Sequence, residues 1–358
     1  MTNKYESIVT SYAGLKSNSR HIASIPSVSD KTLFAVGSSV VDTSNQIQIL
    51  EYNEIKTSIQ CVSTLDHRDE IWWIEPHPTD QDKMITISRQ QNSNNKKAQI
   101  YKTQNLGLDN ISTGERQKIE EMNSFNIEED SAQRAYFLPS DNSKCVISCE
   151  SKICLFDIEN GGAPIETVKE SDSKIKSIAV DQIHESIVAG CVGSDIKLWD
   201  LRSGEVIHKI EGAHKPFALD VAFNDNKQWW ICSGGSDGYL RCWDTRVGKV
   251  ECEFRASSHW VTRTIPSVSH EQLILTAGTD SKVRTFNSSV FAFQNEGQLP
   301  DGEIIKSIRH DDSVYCATWA SNNPWIFASV SYKGQVNICQ LPTQVVDSIL
   351  MGDDEFSV

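Results

Sequence analysis

The segments GSDIKLWDLRSGE (Gly193–Glu205) and GSDGYLRCWDTRVGK (Gly235–Lys249) share one pattern: a polar turn, an alternating run, a Trp-Asp pair and a second turn. Their tryptophans, Trp199 and Trp243, lie 44 residues apart. A spacing of about 40–45 residues is the signature of a repeated four-stranded unit. The register extends both ways. Phe286 in KVRTFN falls 43 residues later and Phe156 in KICLFD 43 earlier. Leu50 in QIQILEY, Tyr101 in AQIYKT and Cys339 in QVNICQL take the same place in weaker copies. The chain therefore reads as seven units.

Each unit repeats one order of elements. In the fifth, FALDVAF and WWICSGG are the first two strands, SDG is the turn and YLRCWD is the third strand. Alternation at period two marks half-buried strands, and SDG is a turn signal. A fourth strand follows in most units, as in EVIHKIEG (Glu205–Gly212) and EIIKSIRH (Glu303–His310). The fold expected is all-β, a seven-bladed WD40 β-propeller. Residues 1–342 form one propeller in this reading, with a strand at about 5–13 closing the last blade. Residues 343–358 are left as a C-terminal strand and acidic tail.

Propeller blades of this kind are often fastened by a histidine, a hydroxyl, an aspartate and the tryptophan. The fifth unit carries all four as His214, Ser233, Asp237 and Trp243. By type, His214, Ser233 and Asp237 resemble a hydrolase triad, but their repeat positions assign them to fastening. The sixth unit offers His259, Thr276 and Asp280, with Phe286 unable to donate. The seventh keeps His310 and Ser329, and the first three little beyond His67. Each WW pair, Trp72–Trp73 and Trp229–Trp230, is read as strand residues facing opposite sides, one of them buried. No phosphate-binding glycine loop or nucleophile elbow is present. The ten cysteines sit mostly in apolar runs without metal-ligand spacing. No catalytic residue, metal or cofactor is expected.

The net charge of −14 disfavours nucleic acid and anionic membranes as partners. The short NKK cluster, Asn95–Lys97, does not reverse it. No run reaches the ~18–20 apolar residues needed to span a bilayer. MTNKYESIVTSYAG has no signal-like apolar core, so the expected address is cytoplasmic. A monomeric propeller binding other proteins is the expectation. Long loops at Ser38–Asn45 and Arg89–Lys97 leave one face; Gln104–Arg116 and Ser288–Gly302 leave the other. On that second face Trp325, after Asn-Asn-Pro, is a candidate partner anchor.

Five stretches carry a more specific likeness: His310–Val336, Ser258–Val283, Glu211–Trp230, NQIQILEYNE (Asn45–Glu54) and EIWWIEPHP (Glu70–Pro78). There the sequence resembles the family of WD-repeat proteins that interact with the EARP and GARP tethering complexes. The likeness is close from about Asp172 to Leu341. It implies a non-enzymatic adaptor, peripheral to endosomes and the trans-Golgi network, serving endosomal recycling, retrograde transport and vesicle cargo sorting. Lys333 departs from the family, standing where an acidic turn residue is expected. A rival reading starts from WDLR and WDTR (Trp199–Arg202 and Trp243–Arg246). Paired WDxR ends are used by substrate receptors of cullin–RING ubiquitin ligases, which would make Arg202 and Arg246 contacts for an adaptor.

Overall fold

Small and β-branched side chains fill the second strand of almost every unit. Thr32–Ser38, Ile187–Val192, Leu273–Gly278 and Ile326–Ser331 are buried along their whole length. Strands covered on both faces read as such continuous runs. They form the middle of the blades in the computed structural model, which describes residues 7–351 except 27, 29, 42, 92, 104–115, 128–129, 140, 171–172, 185 and 289–302.

The chain begins with β1 (Ile8–Tyr12). Blade one is β2 (Ser19–Ser24), β3 (Thr32–Ser38), β4 (Asn45–Asn53) and β5 (Ser58–His67). Blade two is β6 (Glu70–Pro76), β7 (Lys83–Arg89), β8 (Lys96–Lys102) and, after the short β9 (Arg116–Lys118), β10 (Glu120–Ser124). Blade three is β11 (Ala132–Phe137), β12 (Lys144–Cys149), β13 (Lys152–Asp157) and β14 (Glu166–Lys169). Blade four is β15 (Ile175–Val180), β16 (Ile187–Val192), β17 (Asp195–Asp200) and β18 (Glu205–Ile210). Blade five is β19 (Ala218–Phe223), β20 (Trp230–Gly235), β21 (Tyr239–Asp244) and β22 (Lys249–Arg255). Blade six is β23 (Val261–Pro266), β24 (Leu273–Gly278), β25 (Lys282–Asn287) and β26 (Glu303–Arg309). Blade seven holds β27 (Val314–Trp319), β28 (Ile326–Ser331) and β29 (Val336–Gln340). Its outer strand is β1, antiparallel to β29 from Ile8↔Gln340 to Tyr12↔Val336. The protein is a seven-bladed β-propeller.

Seven clusters of buried apolar side chains occupy the seven junctions between neighbouring blades. The junction of blades seven and one joins Ile22, Phe34 and Leu50 to Cys316, Ile326 and Ile338, so the core runs around the ring without a gap. The residues at the repeated aromatic position, from Leu50 to Cys339, are all buried in these junctions.

Three local features differ from the sequence reading. Val345–Leu350 is not an added strand: Thr343–Met351 is a helix, α1. The edge it would have joined is already taken by β1. Val345, Val346, Ile349 and Leu350 have helical spacing, and the Pro342 carbonyl accepts the first bonds, from the Val345 and Val346 amides. Ile349 packs onto the junction of blades six and seven. Second, the Trp229–Trp230 pair does not split into one buried and one outward residue. Trp229 precedes β20 in a left-handed turn (φ 65°), its ring tilted against His184 with centroids 4.2 Å apart, and both tryptophans are half-buried. The other pair does split, with Trp73 buried and Trp72 half-buried. Third, β9 adds a parallel fifth strand to β5 and covers the edge of blade one. The acidic tail after Met351 and most of the Gln104–Arg116 and Ser288–Gly302 loops lie outside the described residues.

Candidate functional site

In blade five, His214, Ser233, Asp237 and Trp243 form one hydrogen-bonded chain. His214 Nδ1 donates to Asp237 Oδ1 at 2.9 Å, and its Nε2 accepts from Ser233 Oγ at 2.8 Å. The hydroxyl in turn accepts from Trp243 Nε1 at 2.8 Å. This order fixes the neutral imidazole tautomer. Burial lowers the His214 pKa, and Asp237 pulls weakly the other way. Burial opposes ionisation of Asp237, yet hydrogen bonds from His214 and Arg241 outweigh it and hold the carboxyl well below its usual range. Gly235 makes the approach feasible, because a Cβ there would overlap the imidazole. Gly238 closes the turn with φ 82°. Ser233 is fully buried and both its bonds are committed, so no substrate can reach the hydroxyl.

The sixth blade corrects one assignment. His259 is exposed at the ring and bonds Thr279 Oγ1, away from Thr276. The position equivalent to His214 is held by Ser257, packed beside Gly278 as His214 is beside Gly235. Asp280 there binds Arg284 Nη2 at 2.6 Å. In blade seven His310 Nε2 pairs with Ser329 Oγ at 2.9 Å, and in blade two His67 Nε2 pairs with Thr86 Oγ1 at 3.2 Å.

The three residues expected to meet partners lie at the same end of the propeller, in the turns after first and third strands. Arg202 and Arg246 are exposed, at 78% and 60% of the side chain. Each reaches back in a two-point contact to the aspartate of its own Trp-Asp pair, Asp200 and Asp244. Trp325 is half-buried. Its ring stacks on His270 with centroids 4.3 Å apart, and it packs on the junction of blades six and seven.

The opposite end holds a feature the sequence reading missed. In all seven blades the first strand slips by one residue against the second, at the same place. Such bulges re-aim side chains. The skipped residues are Arg20, Trp72, Gln133, Lys176, Leu219, Thr262 and Tyr315. The residues that follow are His21, Trp73, Arg134, Ser177, Asp220, Arg263 and Cys316. Members of both sets line a cavity of about 210 Å³ at the channel mouth.

Cations and aromatic rings interleave there. The Arg20 guanidinium lies 4.1 Å from the Trp72 ring centre, 5.1 Å from Tyr332 and 5.4 Å from Tyr315. Lys96 Nζ stands 4.6 Å from Trp72 and donates to Gln133 Oε1 at 2.7 Å. Deeper, Arg134 and Arg263 approach Trp73 at 4.4 and 4.9 Å. Arg263 comes from blade six and Trp73 from blade two, so they meet across the channel axis. Asp220, fully buried, accepts from Ser177 Oγ at 2.7 Å and the Thr264 amide at 2.8 Å. The same carboxylate lies 3.3 Å from Arg263 and 4.0 Å from Arg134. Burial, reinforced by the Arg134, Arg20 and Lys176 charges, brings Lys96 down to about 7. His21 is buried with Nδ1 accepting from the Ile74 amide, and burial together with Arg263 and Arg134 keeps it neutral. Its Nε2 has no partner among the described residues. No group of three or more histidine, cysteine or acidic side chains suited to a metal ion occurs among the described residues.

The EIPR1 beta-propeller family model matches residues 8–286, from the closing strand to the third strand of blade six. The chain belongs to that family. A WD domain, G-beta repeat, matches residues 302–339, which take in β26 of blade six and β27 to β29 of blade seven. Among curated relatives, EARP and GARP complex-interacting protein 1 of Rattus norvegicus is 27% identical over 94% of this chain and 98% of its own length. The Homo sapiens protein of the same name is 25% identical over the same shares. WD repeat-containing protein DWA2 of Arabidopsis thaliana is 27% identical over 91% of this chain and 94% of its own. This EIPR1-family propeller has no helix among its described residues long and apolar enough to cross a membrane.

Proposed function

We propose that the chain is a non-enzymatic adaptor that binds the multisubunit EARP and GARP tethering complexes. In this role it works in the cytoplasm at endosomes and the trans-Golgi network, as a monomeric propeller within larger assemblies. It supports endosomal recycling, retrograde transport and sorting of vesicle cargo. One observation carries the reading: similarity extends over 94% of the chain to relatives whose names state that they interact with these complexes. A likeness over the whole ring is what conservation of a partner surface requires, whereas fold alone would not choose a partner. The buried, committed state of Ser233 supports the non-enzymatic part. Mixing the purified chain with purified EARP or GARP and separating by size tests it. Co-elution at one-to-one stoichiometry is expected, and separate elution from both complexes contradicts it.

The ligase-receptor reading keeps one supporting observation, the exposure of Arg202 and Arg246 on adjacent blades at one end. Their engagement with Asp200 and Asp244 lessens it, since each guanidinium already holds a carboxylate.

A further inference from the structure

We propose that the channel mouth docks an acidic linear segment of a partner protein, its carboxylates in the cationic cup and an apolar residue against the exposed aromatics beside it. The proposal concerns the chemistry of the segment and stands apart from which protein supplies it.

Charge is the first argument. The protein carries a net charge of −14, yet Arg20, Arg134, Lys176 and Arg263 line one mouth. Against them stand Asp220, shared between Arg134 and Arg263, and Glu70, shared between Arg20 and Arg89. Lys176 is exposed and has no ion pair among the described residues. Positive charge gathered against the sign of the whole molecule steers an anionic ligand to that spot.

Unused hydrogen-bonding capacity is the second. Nε of Arg20, Arg134 and Arg263 has no hydrogen-bond partner among the described residues, and neither has the indole N–H of Trp72. His21, 4% exposed, lines the cavity with Nε2 unpartnered. With Nδ1 accepting from the Ile74 amide, Nε2 carries the proton and is a donor. Buried donors left unpaired are costly, and a carboxylate with four lone-pair sites satisfies several at once.

Size and an apolar wall separate a peptide from other anions. About 210 Å³ holds one or two side chains and is less than the ~300 Å³ at which small-molecule pockets begin. Beside the cup, Trp260 and Phe217 are 47% and 48% exposed at the starts of neighbouring first strands, and Leu219 lies between them in sequence. An inositol polyphosphate gains nothing from that wall. A peptide with an apolar residue beside its acid does. A single-stranded nucleic acid could stack on such rings, but its backbone would meet an acidic body beyond the mouth.

Panning a random peptide library of about twelve residues against the intact chain tests this, with selected peptides measured by fluorescence polarisation. The selected peptides are expected to be rich in Asp and Glu with an aromatic or aliphatic neighbour. Replacing their acids by Asn and Gln weakens binding about tenfold, as do Lys176→Glu and Trp260→Ser in the protein. Both protein positions are exposed, so unchanged thermal melting separates lost binding from lost folding. The proposal is overturned by selection of no peptide, by peptides without acidic enrichment, or by affinities that Lys176→Glu leaves unmoved. It is also overturned if inositol hexakisphosphate or a single-stranded oligonucleotide binds more tightly than every selected peptide.

Discussion

Ser233 sits where two buried polar groups need it, the Trp243 N–H and the His214 imidazole. Ser233→Ala leaves both without a partner, and each orphaned group costs about 1–3 kcal/mol. Thr276, the equivalent in blade six, makes only a 3.4 Å bond to the Arg284 carbonyl among the described residues. Thr276→Val is therefore expected to cost less than about 1 kcal/mol, and equal losses in denaturant melts would deny the blade-five chain its fastening role. Glu75 makes a prediction in pH. Although half-buried by surface exposure, it lies so deep in the channel that burial raises its pKa to about 8, against the pull of Arg263. From about pH 4.5 to 8 the folded chain holds a proton that the unfolded chain has released, so stability falls as pH rises through that window. Glu75→Gln stays neutral throughout. Its melting temperature should match the parent near pH 4.5 and exceed it by a few degrees above pH 8; a constant difference at all pH would place the carboxyl in water.

Single elements show what sequence can and cannot convey. The strand ending in the Trp-Asp pair was legible because its aromatic position recurs with the same burial in every blade, even where Leu50 or Cys339 replaces the aromatic. The fastening set was legible only in blade five, where all four residue types occur together. In blade six a histidine two residues late, His259, drew the assignment from Ser257, since a serine in that position carries no signal. The channel mouth escaped for a related reason. Its residues share a register position but not a chemistry, from Arg20 and Trp72 to Leu219 and Tyr315, so no motif repeats. Reading the seven units in parallel, one column at a time, would have exposed Arg20, Lys176 and, one column on, Arg134 and Arg263. Helix α1 was missed because an apolar run after the last blade looks like another strand unless the edge is known to be taken. At the other end, the turn carrying Trp325 combines packing with exposure. Trp325→Ala removes the His270 stack and part of the junction of blades six and seven, costing about 1–2 kcal/mol, well below a fully buried tryptophan. Any loss of partner binding in that variant must be compared with one of matched stability. The pair Arg202→Ala and Arg246→Ala gives a cleaner result: both side chains are exposed, and melting should shift by less than about 1 kcal/mol. Retained association with tethers in that double variant is expected, and gained or lost binding to a ligase adaptor decides the rival reading.

Over the whole molecule, seven junctions of similar apolar character make the ring one continuous core, and a rigid ring presents two unlike ends. One end carries Arg202, Arg246 and Trp325 on an otherwise acidic body. The other gathers cations and aromatics at the channel. The acidic balance legible in the sequence argued against nucleic acid, but an average over the chain concealed this local reversal, because charges distant in sequence converge only once the ring closes. Two dissimilar ends suit an adaptor that holds more than one partner at a time. The central claim is association with EARP and GARP, and the most direct measurement is affinity purification of the tagged chain from its own cells followed by mass spectrometry. The account predicts enrichment of the tether subunits together with the chain. Recovery of a cullin and its adaptor without any tether subunit would contradict it.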